Sequence, residues 1–179
     1  GSRLTLPDYR LAAMLGFVQV AAFVLLSHYA LLVAGPGKTA VLTYTMPFWM
    51  LLFAAMLLGE RMRGVQWLAV GAAFAGLVLI VSPWRLTSLE GSVLAVASGA
   101  VWAFAAVLSK KWSVKGADLL ALTAWQLLFG SIPLVLLSLA HDHPGASWNG
   151  EYLLALAYAT LFATAAGWAL WTYVLANAP

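Results

Sequence analysis

Six runs of this chain, residues 11–34, 39–59, 65–82, 91–109, 119–140 and 152–176, contain no Asp, Glu, Lys or Arg at all. About 20 consecutive apolar residues are enough to carry a helix across the roughly 30 Å hydrocarbon core of a bilayer. All six runs meet or approach that length, the third being the shortest. In lipid the backbone must satisfy its own polar groups, which leaves only helices and closed barrels. The ten-residue alternating pattern of a membrane barrel is absent. The runs therefore predict an all-α, polytopic transmembrane helical bundle of six spans.

Composition agrees. Hydrophobic residues make up 64% of the 179 and charged residues 8%, against roughly 25% charged in soluble domains. The mean hydropathy is +0.93. A soluble fold of this size has too little interior for so much apolar surface, and a disordered chain would carry far more charge. The absence of cysteine excludes disulfides, thiolate metal sites and a cysteine nucleophile. The net charge of +3 comes from nine basic residues scattered between the runs. They form no basic stripe, so nucleic acid is not an expected partner.

Short polar connections carry the turn residues. They are Gly35-Pro36-Gly37-Lys38, Glu60-Arg61-Met62-Arg63-Gly64, Ser82-Pro83-Trp84-Arg85, Lys110 to Gly116, and a last loop opening with His141-Asp142-His143-Pro144-Gly145. Glycine and proline stop helices and turn the chain at these places. Gly1-Ser2 reads as a remnant of expression, and no cleavable leader is expected. With the N-terminus in the cytoplasm, seven Lys and Arg face inward and only Lys38 and Arg85 face outward. Positive charge favours the cytoplasmic side, so both chain ends are expected there, in a bacterial inner membrane. Trp67 and Trp112 then belong to the inner aromatic belt, and Trp84, Trp148 and Tyr152 to the outer one.

Small residues recur at four-residue steps, which return to nearly the same helix face. The sixth span has Ala155, Ala159, Ala163 and Gly167, the fourth has Ala95, Gly99 and Ala103, and the third has Ala72 and Gly76. Such strips let helix backbones approach closely where lipid supplies no hydrophobic drive. A helix contact is expected along the sixth-span ridge. For the third span, chance in an alanine-rich chain explains the spacing equally well.

From Pro47 onward the sequence resembles a known family. The run Pro47, Leu58-Gly59-Glu60-Arg61, Gln66 and Gly76 is similar to the end of a repeat in the EamA-type drug/metabolite transporters. Gly91-Ser92-Val93-Leu94-Ala95, Trp102-Ala103 and Lys110-Lys111 resemble the opening of the next repeat. The resemblance implies ten helices in two inverted five-helix repeats, with these six spans corresponding to helices three to eight. Residues 1–88 would be the last three helices of the first repeat, and 89–179 the first three of the second. Spans one and six would be the same element. Matching Pro36 with Pro179 also matches Leu11 with Leu154, Ala12 with Ala155, Ala22 with Ala165 and Leu32 with Leu175.

Polar groups at membrane depth are costly and tend to face a cavity or another helix. In span one these are Gln19, Ser27 and His28, with Gln19 and His28 nine residues apart and so on nearly opposite faces. His28 is read as a structural hydrogen-bonder rather than a proton site. In span two, Thr43, Tyr44 and Thr45 precede Pro47, which should kink the helix. Trp49, Trp102, Trp168 and Trp171 place aromatic rings at depth, either as ordinary packing or as ligand-stacking walls. The resemblance implies that spans one, two, four and six line a central cavity. The substrate-binding candidates are therefore Gln19, Tyr44, Trp102, Trp168 and Trp171.

Glu60, beside Arg61 and Arg63, reads as an interfacial ion pair. His141-Asp142-His143 lacks a fourth metal ligand nearby and reads as a solvated loop. No nucleophile–base pair, carboxylate pair or phosphate-cradling loop is present, so neither an enzyme, a metal site nor a cofactor is expected. The resemblance implies a membrane transporter of small organic metabolites, with amino-acid or drug efflux by alternating access. Its partners would be a small-molecule solute, lipid, and the missing helices or a second copy of the chain. The alternative is a non-transporting membrane scaffold or accessory subunit.

Overall fold

The structure, a computed structural model, describes residues 6–60, 64–81, 89–112, 119–140 and 148–177. Among these residues the chain is helical and has no strand. The first segment is a continuous helix built of α1 (Leu6–Leu15), a π-helical stretch π1 (Gly16–Ala22) and α2 (Phe23–Ala34). The second is α3 (Pro36–Thr43) followed by α4 (Met46–Leu58). The third, fourth and fifth are α5 (Gly64–Val81), α6 (Leu89–Trp112) and α7 (Leu119–Ala140). The sixth is α8 (Gly150–Tyr158), a second π-helical stretch π2 (Ala159–Ala166) and α9 (Gly167–Asn177).

Among the described residues, five segments are long and apolar enough to cross a membrane. The third, α5, is one uncharged helix over Gly64–Val81, of which Gly64–Gly76 is a shorter apolar helix.

The turns follow local chemistry. Gly35 (φ 80°) and Gly59 (φ 68°) take left-handed or related backbone that side chains disfavour, and each ends a helix. Past Gly59 the Glu60 amide donates back to the Ala54 carbonyl at 3.4 Å, as in a Schellman C-terminus. Asn149 caps α8, its Oδ1 accepting from the Tyr152 amide at 2.8 Å. Between α3 and α4 the helix breaks at Tyr44-Thr45, just ahead of Pro47. Proline lacks an amide hydrogen, so the Thr43 carbonyl has no helical donor and the ladder opens there.

The fourth segment is the centre of the bundle. It packs against α2, α3, α4 and π1. Small side chains make this possible: Ala95, Ala103 and Ala105 are fully buried, and a β-carbon at Gly99 would lie 2.6 Å from the Thr43 carbonyl oxygen. The Ala95–Gly99–Ala103 strip therefore makes the close contact expected of it. Two apolar clusters flank it, one of Leu15, Ala105 and Leu108, the other of Ala30, Leu42 and Ala95. The sixth-span ridge behaves differently. Ala155, Ala159, Ala163 and Gly167 are exposed, as is every residue from 150 to 167. The expectation of a helix contact along that ridge is not met by any described element. In the third segment Ala72 is likewise exposed and Gly76 half-buried.

Candidate functional site

The polar interior begins with Gln19. It sits in π1, 3% exposed, and accepts a 2.7 Å hydrogen bond at Oε1 from Nε2 of Gln126, which is 4% exposed. Gln126 lies on α7, and two contacts set its register against the first segment. Below the pair in the chain, Tyr9 meets Trp125 edge-on with ring centroids 5.1 Å apart. Beside it, Gly16 and Gly130 cross so closely that a β-carbon on Gly130 would stand 2.5 Å from the Gly16 carbonyl oxygen. Two glycines bring the backbones together, and the amides then reach each other without solvent. A buried unpaired amide would be costly; paired, it is tolerated.

A second polar patch lies at the break between α3 and α4. Ser98, fully buried on α6, donates to the Ala95 carbonyl at 2.7 Å. Its only proton is thereby used, so Thr43 Oγ1 donates to Ser98 Oγ at 3.2 Å. Thr45 Oγ1 donates to the Leu42 carbonyl at 2.8 Å and accepts from Trp49 Nε1 at 3.2 Å. Trp49 continues through Phe53 to Phe104 by ring contacts of 6.1 and 5.4 Å. Thr39 Oγ1, also buried, has no hydrogen-bond partner.

The aromatic candidates divide. Trp102 and Trp171 meet with centroids 5.4 Å apart, joining α6 to the otherwise loosely held sixth segment. Both are half-buried, as is Trp168 one turn earlier on α9. Tyr44, by contrast, is 73% exposed. The helix break that frees its backbone also turns its ring out of the bundle, away from Gln19. The structure thus joins Trp102 to Trp171 and joins Gln19 to a residue that sequence reasoning passed over. Gln126 carried a signal, being an amide in the middle of an uncharged run, like Gln19.

His28 is exposed, and its Nδ1 donates to the Val24 carbonyl at 2.8 Å. This is the local structural bond expected of it. Glu60 forms an ion pair, with Lys110 Nζ at 2.9 Å. Arg61 and Arg63 lie outside the described residues, as do His141, Asp142 and His143. A groove of about 710 Å³ runs along α5, lined by Trp67, Val70, Phe74 and Val78 among others. It is apolar, and its lining, all on α5, includes neither Gln19 nor Gln126.

Comparison with known proteins fits this architecture. The model of the EamA-like transporter family matches twice, over residues 2–82 and 89–179. An uncharacterized transporter, YoaV, of Bacillus subtilis is 27% identical over 152 residues, covering 82% of this chain and 52% of that protein. An uncharacterized transporter of Acidianus ambivalens is 29% identical over 148 residues, 82% of this chain and 57% of its own length. A riboflavin transporter of Rhizobium johnstonii is 32% identical over 73 residues, 41% of this chain and 24% of that protein. The chain spans about half the length of the first two relatives. No solved structure matches. The apolar helices, the α6-centred bundle and the double family match together make this multi-pass membrane chain a member of the EamA-like transporter family.

Proposed function

We propose that these residues form the central six helices of a transporter that moves small organic metabolites by alternating access. Residues 1–88 close one repeat and residues 89–179 open the next. The chain sits in a bacterial inner membrane with both described ends toward the cytoplasm. The observation that carries the reading is the Gln19–Gln126 amide pair, buried at 2.7 Å between segments assigned to different repeats. Polar side chains at membrane depth are costly and face a cavity or another helix rather than lipid. An amide pair that parts between states offers donors and acceptors to a polar solute.

The Trp102–Trp171 contact supplies the complementary surface, two indoles at 5.4 Å on elements of the second repeat. Indole faces take planar or cationic groups by stacking and cation–π attraction. Amino acids and drug-like compounds meet this description. So does a flavin, the solute named for the Rhizobium relative. The protein is not an enzyme in this reading. All six carboxylates lie outside the uncharged runs, so either movement is facilitated, down the solute gradient, or the coupling group sits in helices beyond these six; we take the first reading.

One observation favours the scaffold reading instead. The helices packed around α6 meet it through fully buried alanines, and the open groove along α5 is apolar. Transport by the full-length protein in proteoliposomes, against a panel of amino acids, flavins and organic cations, separates the two. Saturable uptake that is lost in Trp102→Ala supports the transporter; no flux for any solute by folded protein supports the scaffold.

A further inference from the structure

Gln19, Gln126, Trp102 and Trp171 stand on four elements that meet in a closed circuit. π1 packs against α6 and α7, α9 packs against α7, and the Trp102–Trp171 contact joins α9 to α6. The amide pair and the indole pair also share a depth. Leu15 clusters with Ala105 and Ala30 with Ala95, and a β-carbon at Gly91 would lie 2.8 Å from the Ala34 β-carbon. Numbers rise along the first segment as they fall along α6, so the two run antiparallel. From the Leu15–Ala105 contact, Gln19 is four residues on and Trp102 three residues back, in the same direction. At about 1.5 Å per residue, the two stand within about 2 Å of one height. Gln19 lies in π1, and the segment that carries Trp171 has π2 from Ala159, the position that the Pro36–Pro179 match sets opposite Gly16. π-turns are rare and gather at functional sites.

The amide contact is one donor held by one acceptor, Gln126 Nε2 to Gln19 Oε1 at 2.7 Å. When it parts, a buried N–H and a buried oxygen are left unpaired, a cost that an incoming ligand must offset. A cation answers only the oxygen, and an anion only the N–H. A lactam answers both, because its ring N–H and carbonyl stand side by side. A glutamine side chain reads the donor and acceptor on the edge of adenine in the same way. Charge on the ligand would work against it. The six runs contain no Asp, Glu, Lys or Arg, so a charged solute would leave water where these helices offer no counter-charge. The indoles suit the remainder of a flat ligand. Their planes are tilted by 55°, so neither ring covers the other's face, and a flat ring can stack there.

We infer that this site takes uncharged, flat heterocycles bearing a lactam edge, in preference to zwitterionic amino acids and organic cations. The inference rests on the transporter reading above and narrows its solute. The lactam N–H donates to Gln19 Oε1, and the lactam carbonyl accepts from Gln126 Nε2. The ligand thereby replaces the bond that held the first segment to α7, and its ring lies against Trp102 and Trp171. The two amides set which edge is accepted. The two indoles supply an attraction common to any flat ring.

The test is calorimetric titration of the purified full-length protein in lipid nanodiscs with four probes of similar size. They are carbostyril, N-methylcarbostyril, the N-methylquinolinium cation and L-tryptophan. Carbostyril is a neutral, flat, two-ring lactam, and its N-methyl derivative differs only in losing the N–H. The expected result is binding of carbostyril, with each of the other three weaker by about tenfold or more. In Gln19→Leu and in Gln126→Leu the preference for carbostyril over its N-methyl derivative should fall to about twofold or less. Trp102→Leu should weaken both carbostyrils alike and leave their ratio intact. The wild-type comparison needs no variant, so misfolding of a leucine variant does not shield the proposal. Equal binding of the two carbostyrils, tighter binding of the amino acid or the cation, or no binding of any probe would overturn it. So would a preference that survives both glutamine substitutions. Binding is read without flux. Lactam-selective binding by a protein that moves no solute defeats the transporter reading and leaves this one standing, and saturable amino-acid uptake without lactam binding does the reverse.

Discussion

Gln126 Nε2 donates to Gln19 Oε1 at 2.7 Å with both side chains sealed from solvent, 107 residues apart in the chain. The pair ties the first segment to the fifth at the place where π1 departs from regular helix. Gly16 and Gly130 let the two backbones come close enough for it.

Breaking the pair from one side should destabilise the protein. Gln126→Leu leaves the Gln19 amide buried and alone, which costs about 1–3 kcal/mol in general. Interhelical bonds in membranes average nearer about 0.6 kcal/mol, so a loss of about 1 kcal/mol is expected. Unfolding in mild detergent measures it. Gln19→Leu/Gln126→Leu should lose less than the sum of the single variants; strict additivity would show that the amides are not coupled.

The glycine crossing should be less forgiving. A β-carbon at Gly130 would stand 2.5 Å from both the Gly16 carbonyl oxygen and the Val20 β-carbon, so neither helix can make room alone. Gly130→Ala is expected to cost about 1–3 kcal/mol through overpacking. Gly71→Ala, with nothing within 4 Å of the added carbon, should be neutral or slightly stabilising because alanine is the better helix former. A thermal-shift comparison distinguishes them, and equal effects would mean that the crossing is looser than its geometry.

Transport should depend on the indole pair. In the full-length protein, Trp102→Ala removes the ring that meets Trp171 and should reduce initial uptake rates far more than Trp67→Ala on the apolar groove of α5. The comparison is made at matched expression and folding. Equal losses would remove Trp102 from the solute path.

Proton coupling through His28 is not expected. Its Nδ1 proton is held by the Val24 carbonyl within one helical turn, and the residue is exposed on the face away from Gln19. An imposed pH gradient should drive the same solute movement in wild type and His28→Ala. Gradient-driven accumulation that disappears in His28→Ala, with exchange intact, would make His28 a relay.

The ion pair between Glu60 and Lys110 should matter little to stability. The side chains are 51% and 70% exposed, and pairs of that kind contribute about 0–1 kcal/mol, screened by salt. Glu60→Gln is expected to shift unfolding by less than about 1 kcal/mol, and by less still at high salt. A larger, salt-independent loss would point to a role for Glu60 beyond the pair.

Much of this could be read along the chain. The apolar runs, the glycine stops at Gly35 and Gly59 and the break ahead of Pro47 are consequences of one residue and its near neighbours. The Ala95–Gly99–Ala103 strip and the sixth-span ridge have the same sequence signature, yet one is buried and the other bare. A four-residue spacing says which residues share a face, not which way that face is turned. The same limit separates Gln19 from Tyr44. Both are polar residues in apolar runs, but the break at Tyr44-Thr45 rotates one outward while the Gly16–Gly130 crossing encloses the other.

The sequence by itself determined the membrane environment, the helical class and the positions of the turns. Those depend on desolvating each backbone and side chain, a cost that accumulates residue by residue. Tertiary structure alone decided that Gln126 partners Gln19, that Lys110 partners Glu60, and that two segments carry π-turns at matched register. Each of these depends on the rotation and crossing of helices distant in the chain, where about one added carbon at a glycine contact is enough to shift the outcome.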